Sequence, residues 1–364
     1  VLTEERREAI LRMVERRGTV TVKEVAAETG VSAVTVRQDV RDLAGRGLVV
    51  RVHGGAMSLA AAQQAPAPGT AAPRPAAQQD RVLGLVVPPG DYYYPEIIRG
   101  VREAARAHGM RLVLAVSGET LADNQEQARR LVAAGADGLL LMPRAGLEPP
   151  EGAEQWPAGL DVPVVLMDRR AGPEAGRVEQ VASDHAHGAG LAVRHLAGLG
   201  HRSIALAARA ESPNTLLIRE GYLAACQALG LPAGPEYRVG PSDGPASAEW
   251  CEDLVGAVEA GDVRAALVHN DLDAVTLVGL LQSRGLRVPE DLAIVTYDDE
   301  VAELSDVPLT AVAPPKRAVG AWAVDLMRRR LADPNAPLTA LLLRPELRVR
   351  DSSGAAEGRD TPRA

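Results

Sequence analysis

The sequence contains no phenylalanine. Three tryptophans and six tyrosines supply its only large aromatic rings, in 364 residues of which 46% are hydrophobic. The interior must therefore be aliphatic, built from Leu, Val, Ala and Ile. Lysine is almost missing as well: Lys23 and Lys316 stand alone among 40 basic residues. With Ala, Gly, Pro and Arg abundant, this pattern reads as codon bias from a GC-rich genome, and the excess of Arg carries little functional information. Cysteine is limited to Cys226 and Cys251. Two are too few for a disulfide framework or a cysteine-rich zinc site, and both fall in stretches that read as helix, as structural thiols. No apolar run approaches the roughly 18 residues of a membrane-spanning helix. The opening Val1-Leu2-Thr3-Glu4-Glu5-Arg6-Arg7 has no apolar core behind its charges, unlike a secretory signal. These absences predict a cytoplasmic protein with no membrane partner.

What is present falls into distinct stretches. The net charge of −8 hides an asymmetry: residues 1–58 carry ten basic and eight acidic side chains, the remainder 30 and 40. From Ala33 to Ser58, four arginines face two aspartates, the only part of the chain with a surface suited to nucleic acid. Leu59 to Asp80 is rich in Ala, Gln and Pro and has one branched apolar residue, Leu59, so it reads as a linker. The last 13 residues, from Ser352, are small and polar and read as a frayed end.

Before the linker, Ile10, Leu11 and Val14 have helical spacing. Val22 to Thr29 reads as a second short helix. Ser32 is an N-cap for a third, from Ala33 to about Ala44, with Val36, Val40 and Leu43 on one face. Leu48 to Val52 alternates as a strand and His53-Gly54-Gly55 turns it. Three helices and a hairpin are the parts of a winged helix-turn-helix. After the linker, apolar runs of strand length alternate with helical stretches: Val82 to Val87, Arg111 to Val116, Gly138 to Met142, Val162 to Met167, Ile204 to Ala207, Ala265 to His269 and Leu292 to Tyr297. This is an α/β pattern of parallel sheets covered by helices, and about 270 residues divide more readily into two similar lobes than into one sheet.

The segment from Val31 to Leu43, with Arg51-Val52-His53-Gly54-Gly55-Ala56, resembles the DNA-binding domain of the DeoR family of bacterial transcription regulators. The resemblance covers about residues 2–58. It implies double-stranded operator DNA as partner, contacted by Ser32, Thr35, Arg37, Gln38, Arg41, Arg51, His53 and Gly54. Where the family has a second Arg, this chain has Gln38, which pairs with adenine where Arg reads guanine or grips phosphate. The chemistry agrees on its own terms: a helix that offers these donors from its first turns enters the major groove, and the wing glycines allow close approach to the backbone. The other reading of the unit is a small helical domain for protein contact.

The remainder resembles the effector domain of LacI/GalR-type regulators, related to periplasmic sugar-binding proteins. The matching pieces run in family order from Leu83 to about Leu331. They include Ala136-Asp137-Gly138-Leu139-Leu140, Pro163 through Arg169, Ser183-Asp184-His185, Leu199-Gly200-His201-Arg202, Asn270-Asp271, Tyr297-Asp298-Asp299 and Pro308-Leu309-Thr310. The resemblance implies a small sugar-like ligand between two lobes, near the carboxyl ends of the strands, as open α/β sheets generally place it. The candidates are Asp168, Arg169, Asn270 and Asp298, then Asp184 and Asp271, and the run Tyr92-Tyr93-Tyr94 as a stacking surface. The family's Arg three residues before the Gly-aromatic pair is Ile218 here, before Gly221-Tyr222. Either Arg219 takes the role or the pocket lacks that clamp. Asp271 and Asp298 could instead cap the helices that follow them.

No nucleophile elbow, P-loop or dinucleotide fingerprint occurs, and His185 with His187 lacks a third metal ligand. No catalysis, metal or cofactor is expected. The expected organisation is a winged helix-turn-helix at 1–58, a linker at 59–80, a two-lobed periplasmic-binding-protein-like domain at 81–352 and a disordered tail at 353–364. The expected function is a ligand-responsive regulator, acting as a homodimer and a repressor of carbohydrate genes. The alternatives are the solute-binding component of a sugar transporter, a sensor of a nucleoside or other non-sugar ligand, or an enzyme with an accessory DNA-binding domain.

Overall fold

The computed structural model describes the chain apart from residues 1–6, 8, 15–18, 30, 32–34, 37–38, 41–42, 44–49, 53–54, 58–80, 91, 119, 144–154, 170–174, 177, 211, 241–245 and 355–364. Two compact units are present, Val1–Ala77 and Gln78–Ala364.

In the first unit residues 9–14 are helical, then come β1 (Thr19–Thr21), α1 (Val22–Thr29), β2 (Val50–Val52) and β3 (Gly55–Met57). The sheet runs β1-β3-β2, antiparallel throughout. Thr21 and Glu24 start α1 reciprocally: the Glu24 carboxylate accepts the Thr21 N–H at 2.7 Å and the Thr21 hydroxyl accepts the Glu24 N–H at 3.2 Å, a capping box. Ile10, Met13, Val14, Val20 and Val25 close on Val36, Val40 and Leu43 in one aliphatic core, the face that the four-and-three spacing predicts. Strand β1 goes unread in the sequence because three residues are too few for alternation to register.

The second unit has two lobes. The first begins β4 (Val82–Val87), α2 (Tyr94–Ala107), β5 (Arg111–Val116), α3 (Leu121–Ala133), β6 (Gly138–Leu141), β7 (Val164–Met167) and β8 (Glu179–Ser183). The chain then crosses to the second lobe with α4 (His185–Gly198), β9 (Ala205–Arg209), α5 (Thr215–Ala228), β10 (Glu236–Val239), α6 (Ala246–Glu259), β11 (Ala265–His269), α7 (Asp271–Ser283), β12 (Ala293–Tyr297) and β13 (Thr310–Ala313). It returns with α8 (Lys316–Ala332) and β14 (Ala340–Leu343), and crosses again to β15 (Glu346–Arg348). The first sheet is ordered β14-β8-β7-β6-β4-β5 and is wholly parallel; the second is β10-β9-β11-β12-β13-β15, with only β15 antiparallel. Each sheet carries apolar clusters on both faces, as parallel sheets require. Among the described residues, Tyr222, Trp250 and Tyr297 are the only tyrosine or tryptophan rings in the buried core.

The end of the chain differs from the expected frayed tail. Ser352 and Ser353 are buried. The Ser352 hydroxyl accepts the Thr310 N–H at 2.8 Å and donates to the Ile294 carbonyl at 2.7 Å. Small polar residues can be sewn into a core when every hydroxyl finds a partner, which composition does not reveal. Residues 355–364 lie outside the described residues.

Candidate functional site

Every parallel strand delivers its carboxyl end toward the groove between the lobes. The turn after β4 supplies Pro89, Gly90 and the three tyrosines, β7 supplies Arg169, β9 ends in Arg209 with Ser212 and Pro213 beyond it, and β10 gives Val239 and Gly240. Together they enclose a cavity of about 230 Å³. Tyr92, Tyr93 and Tyr94 all line it, and Tyr93 and Tyr94 meet edge to face with centroids 5.7 Å apart.

Each tyrosine hydroxyl has a separate anchor. Tyr93 donates to Asp168 Oδ1 at 3.1 Å. Tyr94 accepts from Arg169 Nη2 at 3.5 Å. Tyr92 reaches across to the second lobe and donates to Asp271 Oδ1. Burial pushes the Tyr92 and Tyr93 phenols well above their ordinary range, with nearby aspartates adding to it, so both stay protonated donors. Asp271 is fully buried. Its Oδ2 gathers the N–H groups of Glu300, Val301 and Ala302 at 2.6, 2.7 and 3.1 Å.

Asp168 and Asp298 end β7 and β12 in left-handed conformations, with φ of 52° and 89°. Such backbone costs about 1–3 kcal/mol and gathers at functional sites, and Asp tolerates it better than most residues. Burial opposes the charge of Asp168, but the adjacent His185 ring, the Arg169 guanidinium and the Tyr93 hydroxyl outweigh it and hold its carboxyl below the usual range. Asp298 goes the other way: burial, reinforced by Asp271, Asp168 and Glu300 against Lys316, pushes it up to about 7. Its neighbour His269, 4.0 Å away, is pushed down to about 3 by burial and by His185 and Arg209, and is neutral.

The remaining candidates are dispersed. Asn270 caps α7, accepting the Asp273 N–H at 3.4 Å. Asp184 caps α4 through the His187 N–H at 3.1 Å. The clamp question resolves plainly. Arg219 sits on the exposed face of α5, paired with Glu236 at 2.7 Å, and does not line the cavity. Ile218 is buried in the core. Gly221 is there for packing, since a Cβ on it would lie 2.0 Å from the Ala186 carbonyl oxygen of α4.

Comparison with known proteins identifies both kinds of domain. Residues 6–61 match the model of the DeoR-like helix-turn-helix domain, and residues 193–353 match that of the periplasmic binding protein-like domain. The chain is 27% identical to the HTH-type transcriptional repressor PurR of Vibrio parahaemolyticus, over 91% of this chain and 98% of that protein. It is also 27% identical to the arabinose metabolism transcriptional repressor of Geobacillus stearothermophilus, over 92% and 90%. The chain is a transcriptional regulator that joins a DeoR-like helix-turn-helix domain to a periplasmic binding protein-like domain. A solved complex of the transcriptional regulator CelR with cellobiose has the same fold as this regulator, at a TM-score of 0.62 and 25% identity over 92% of this chain and 99% of that one.

In the regulator's DNA-binding domain, Thr35 is helical and half-buried, and the Arg51 backbone lies in β2. Ser32, Arg37, Gln38, Arg41, His53 and Gly54 lie outside the described residues. Sequence reasoning missed four residues, one in the cleft wall and three where the lobes join. Arg209 is gripped by Asp273 at 2.7 and 3.0 Å; reading β9 two residues longer would have exposed it by the same strand-end rule. Lys316, one of two lysines, had rarity as its only signal. His185 and Tyr297 pair at 3.2 Å where the lobes join, and nothing in their spacing announces this. His185 also lies 3.7 Å from Asp168 Oδ1.

Proposed function

We propose that this regulator is a cytoplasmic repressor of carbohydrate uptake or catabolism genes, controlled by a neutral, hydroxyl-rich ring ligand bound between its lobes. The cavity carries the reading. Its volume of about 230 Å³ lies below the ~300–1,000 Å³ of sites for drug-sized ligands, which suits a single ring. Its arginines are already neutralised, Arg169 by Asp168 and Arg209 by Asp273. What they offer a ligand is directed hydrogen bonding without net charge. Tyrosine faces supply the apolar side that a sugar's C–H groups need. The arabinose repressor and the cellobiose complex among the relatives favour a sugar over other hydroxyl-rich rings. Asp168, Arg169 and the three tyrosines are the contacts, with Arg209 added and Asp298, Asn270 and Asp271 bordering the groove.

The regulator acts as a homodimer on a two-fold operator and is a switch, not a catalyst. The DNA-binding residues occupy 1–58, a linker 59–80 and the sensor 81–354. Ligand selects one lobe arrangement and changes the separation of the paired DNA-binding units, a coupling of about 1–3 kcal/mol. A thermal-shift screen with arabinose, ribose and cellobiose, and nucleosides as the contrast class, tests the ligand: sugars raise the unfolding temperature, and a response to nucleosides alone would replace the sugar reading. Arg37→Ala tests the other end. It abolishes the gel shift of native operator DNA while the domain stays folded, and an unchanged shift removes Arg37 from the interface.

A further inference from the structure

Lys316 occupies an unusual place. It opens α8 directly after Pro314-Pro315, on the second crossing between the lobes. Its side chain is only 7% exposed, so its ammonium needs partners within the protein. They come from both lobes. From the second lobe, the Glu300 carboxylate lies 2.5 Å away and the Asp298 carbonyl accepts a hydrogen bond. From the first, the Tyr93 ring lies under the ammonium at 5.0 Å from its centroid, within cation–π range.

These contacts close a circuit. Tyr92 donates to Asp271, Asp271 accepts the Glu300 N–H, the Glu300 carboxylate holds Lys316, and Lys316 rests on Tyr93. The circuit starts and ends on consecutive tyrosines of the cleft cavity. Lys316 also borders a second cavity of about 380 Å³, walled also by Glu96, Pro314, Arg317 and Arg348. The side chain therefore has open space beside it. A buried charge shared between three partners, with space beside it, gives discrete arrangements and not a continuous adjustment.

We propose that Lys316 is the positioning residue that couples the cleft to the lobe hinge: a ligand that engages or displaces the Tyr93 ring resets the ammonium, and with it the turn at Asp298–Glu300. The inference rests on the cleft being the effector site, but its test uses neither effector nor operator.

Spin labels are placed in the full-length chain at Ala133→Cys on α3 and Gln282→Cys on α7. Both sites are exposed, whereas the native Cys226 and Cys251 are buried. Pulsed EPR then reads the lobe separation. Lys316→Met is expected to shift the mean distance by more than about 2 Å, the size of a real domain rearrangement, or to split the distribution. Glu300→Gln does the same and carries the comparison should Lys316→Met fail to fold. Tyr93→Ala shifts the distance in the wild-type background and adds nothing in the Lys316→Met background, the non-additivity of a shared contact. Tyr93→Phe, which keeps the ring and loses only the hydroxyl, stays with the wild type. Lys316→Met and Glu300→Gln variants that lose thermal stability but keep the wild-type distance overturn the proposal, as does a Tyr93→Ala shift of equal size in both backgrounds. A failed sugar screen leaves this outcome untouched, and a failure here leaves the sugar reading standing.

Discussion

Asp298 and His269 impose opposite pH dependences on the same few ångströms of protein. Asp298 ionises near 7 in the fold against 3.8 ordinarily, so the native state binds its proton more tightly than the unfolded chain does. Its contribution is favourable at low pH and is lost as pH rises from about 4 to 7. His269 titrates near 3 instead of 6.5. The native state binds that proton less tightly, and stability is lost as pH falls from 6.5 toward 3. Between about pH 4 and 6.5 the two slopes cancel. Asp298→Asn removes one of them, so urea unfolding of the variant should show stability climbing with pH across that window more steeply than in the wild type. Parallel curves for the two proteins would show that Asp298 is charged throughout. None of this was legible in the sequence. Asp298 was readable as a polar residue after an apolar strand, but its unusual proton affinity comes from burial beside Asp271, Asp168 and Glu300, which only folding brings together.

At the scale of elements, what the sequence showed depended on how each strand is used. β4, β6, β7, β11 and β12 are interior strands with apolar side chains on both faces, and they read as continuous runs. β8 spells Glu-Gln-Val-Ala-Ser and β10 spells Glu-Tyr-Arg-Val. One hides its Glu179 in a buried pair with Arg330 at 2.7 Å; the other is a sheet edge half open to water. Neither has a pattern that period alone can recognise. Helix contacts are similarly concealed. α2 and α8 cross so closely that a Cβ on Gly100 would lie 2.0 Å from the Arg317 carbonyl oxygen, whereas Gly279, exposed on α7, has nothing within 4 Å. Gly100→Ala should therefore destabilise by about 1–3 kcal/mol through overpacking. Gly279→Ala should stabilise by about 0.5–1 kcal/mol, because a glycine in an exposed helix loses more backbone freedom on folding than alanine does. Denaturant midpoints measured side by side test both signs.

At the scale of the whole molecule, the lobes are joined by three crossings, and the last returns the chain to the second lobe. The C-terminal turn is held there by Thr310, Ile294 and His195, whose Nε2 lies 2.9 Å from the Ser353 hydroxyl. Ending the chain at Val349 leaves buried groups at Thr310 and Ile294 without partners, each costing about 1–3 kcal/mol. That truncation should lower the unfolding temperature clearly, while ending at Gly354 should not; equal melting curves would show that the turn is only an appendage. The sequence by itself determined the division of labour: a DNA-binding unit with its helix and wing residues in order, and a βα sensor with polar residues at its strand ends. It could do so because hydrophobic period, caps and strand-end position are local properties. Only the tertiary structure decided which of those polar residues meet. It sent Arg219 to the surface, brought Arg209 to the cleft and Lys316 to the crossing between the lobes, and joined Tyr92 to Asp271, 179 positions apart. Such pairings depend on where the crossings set one lobe against the other, and burial then fixes which charges survive there.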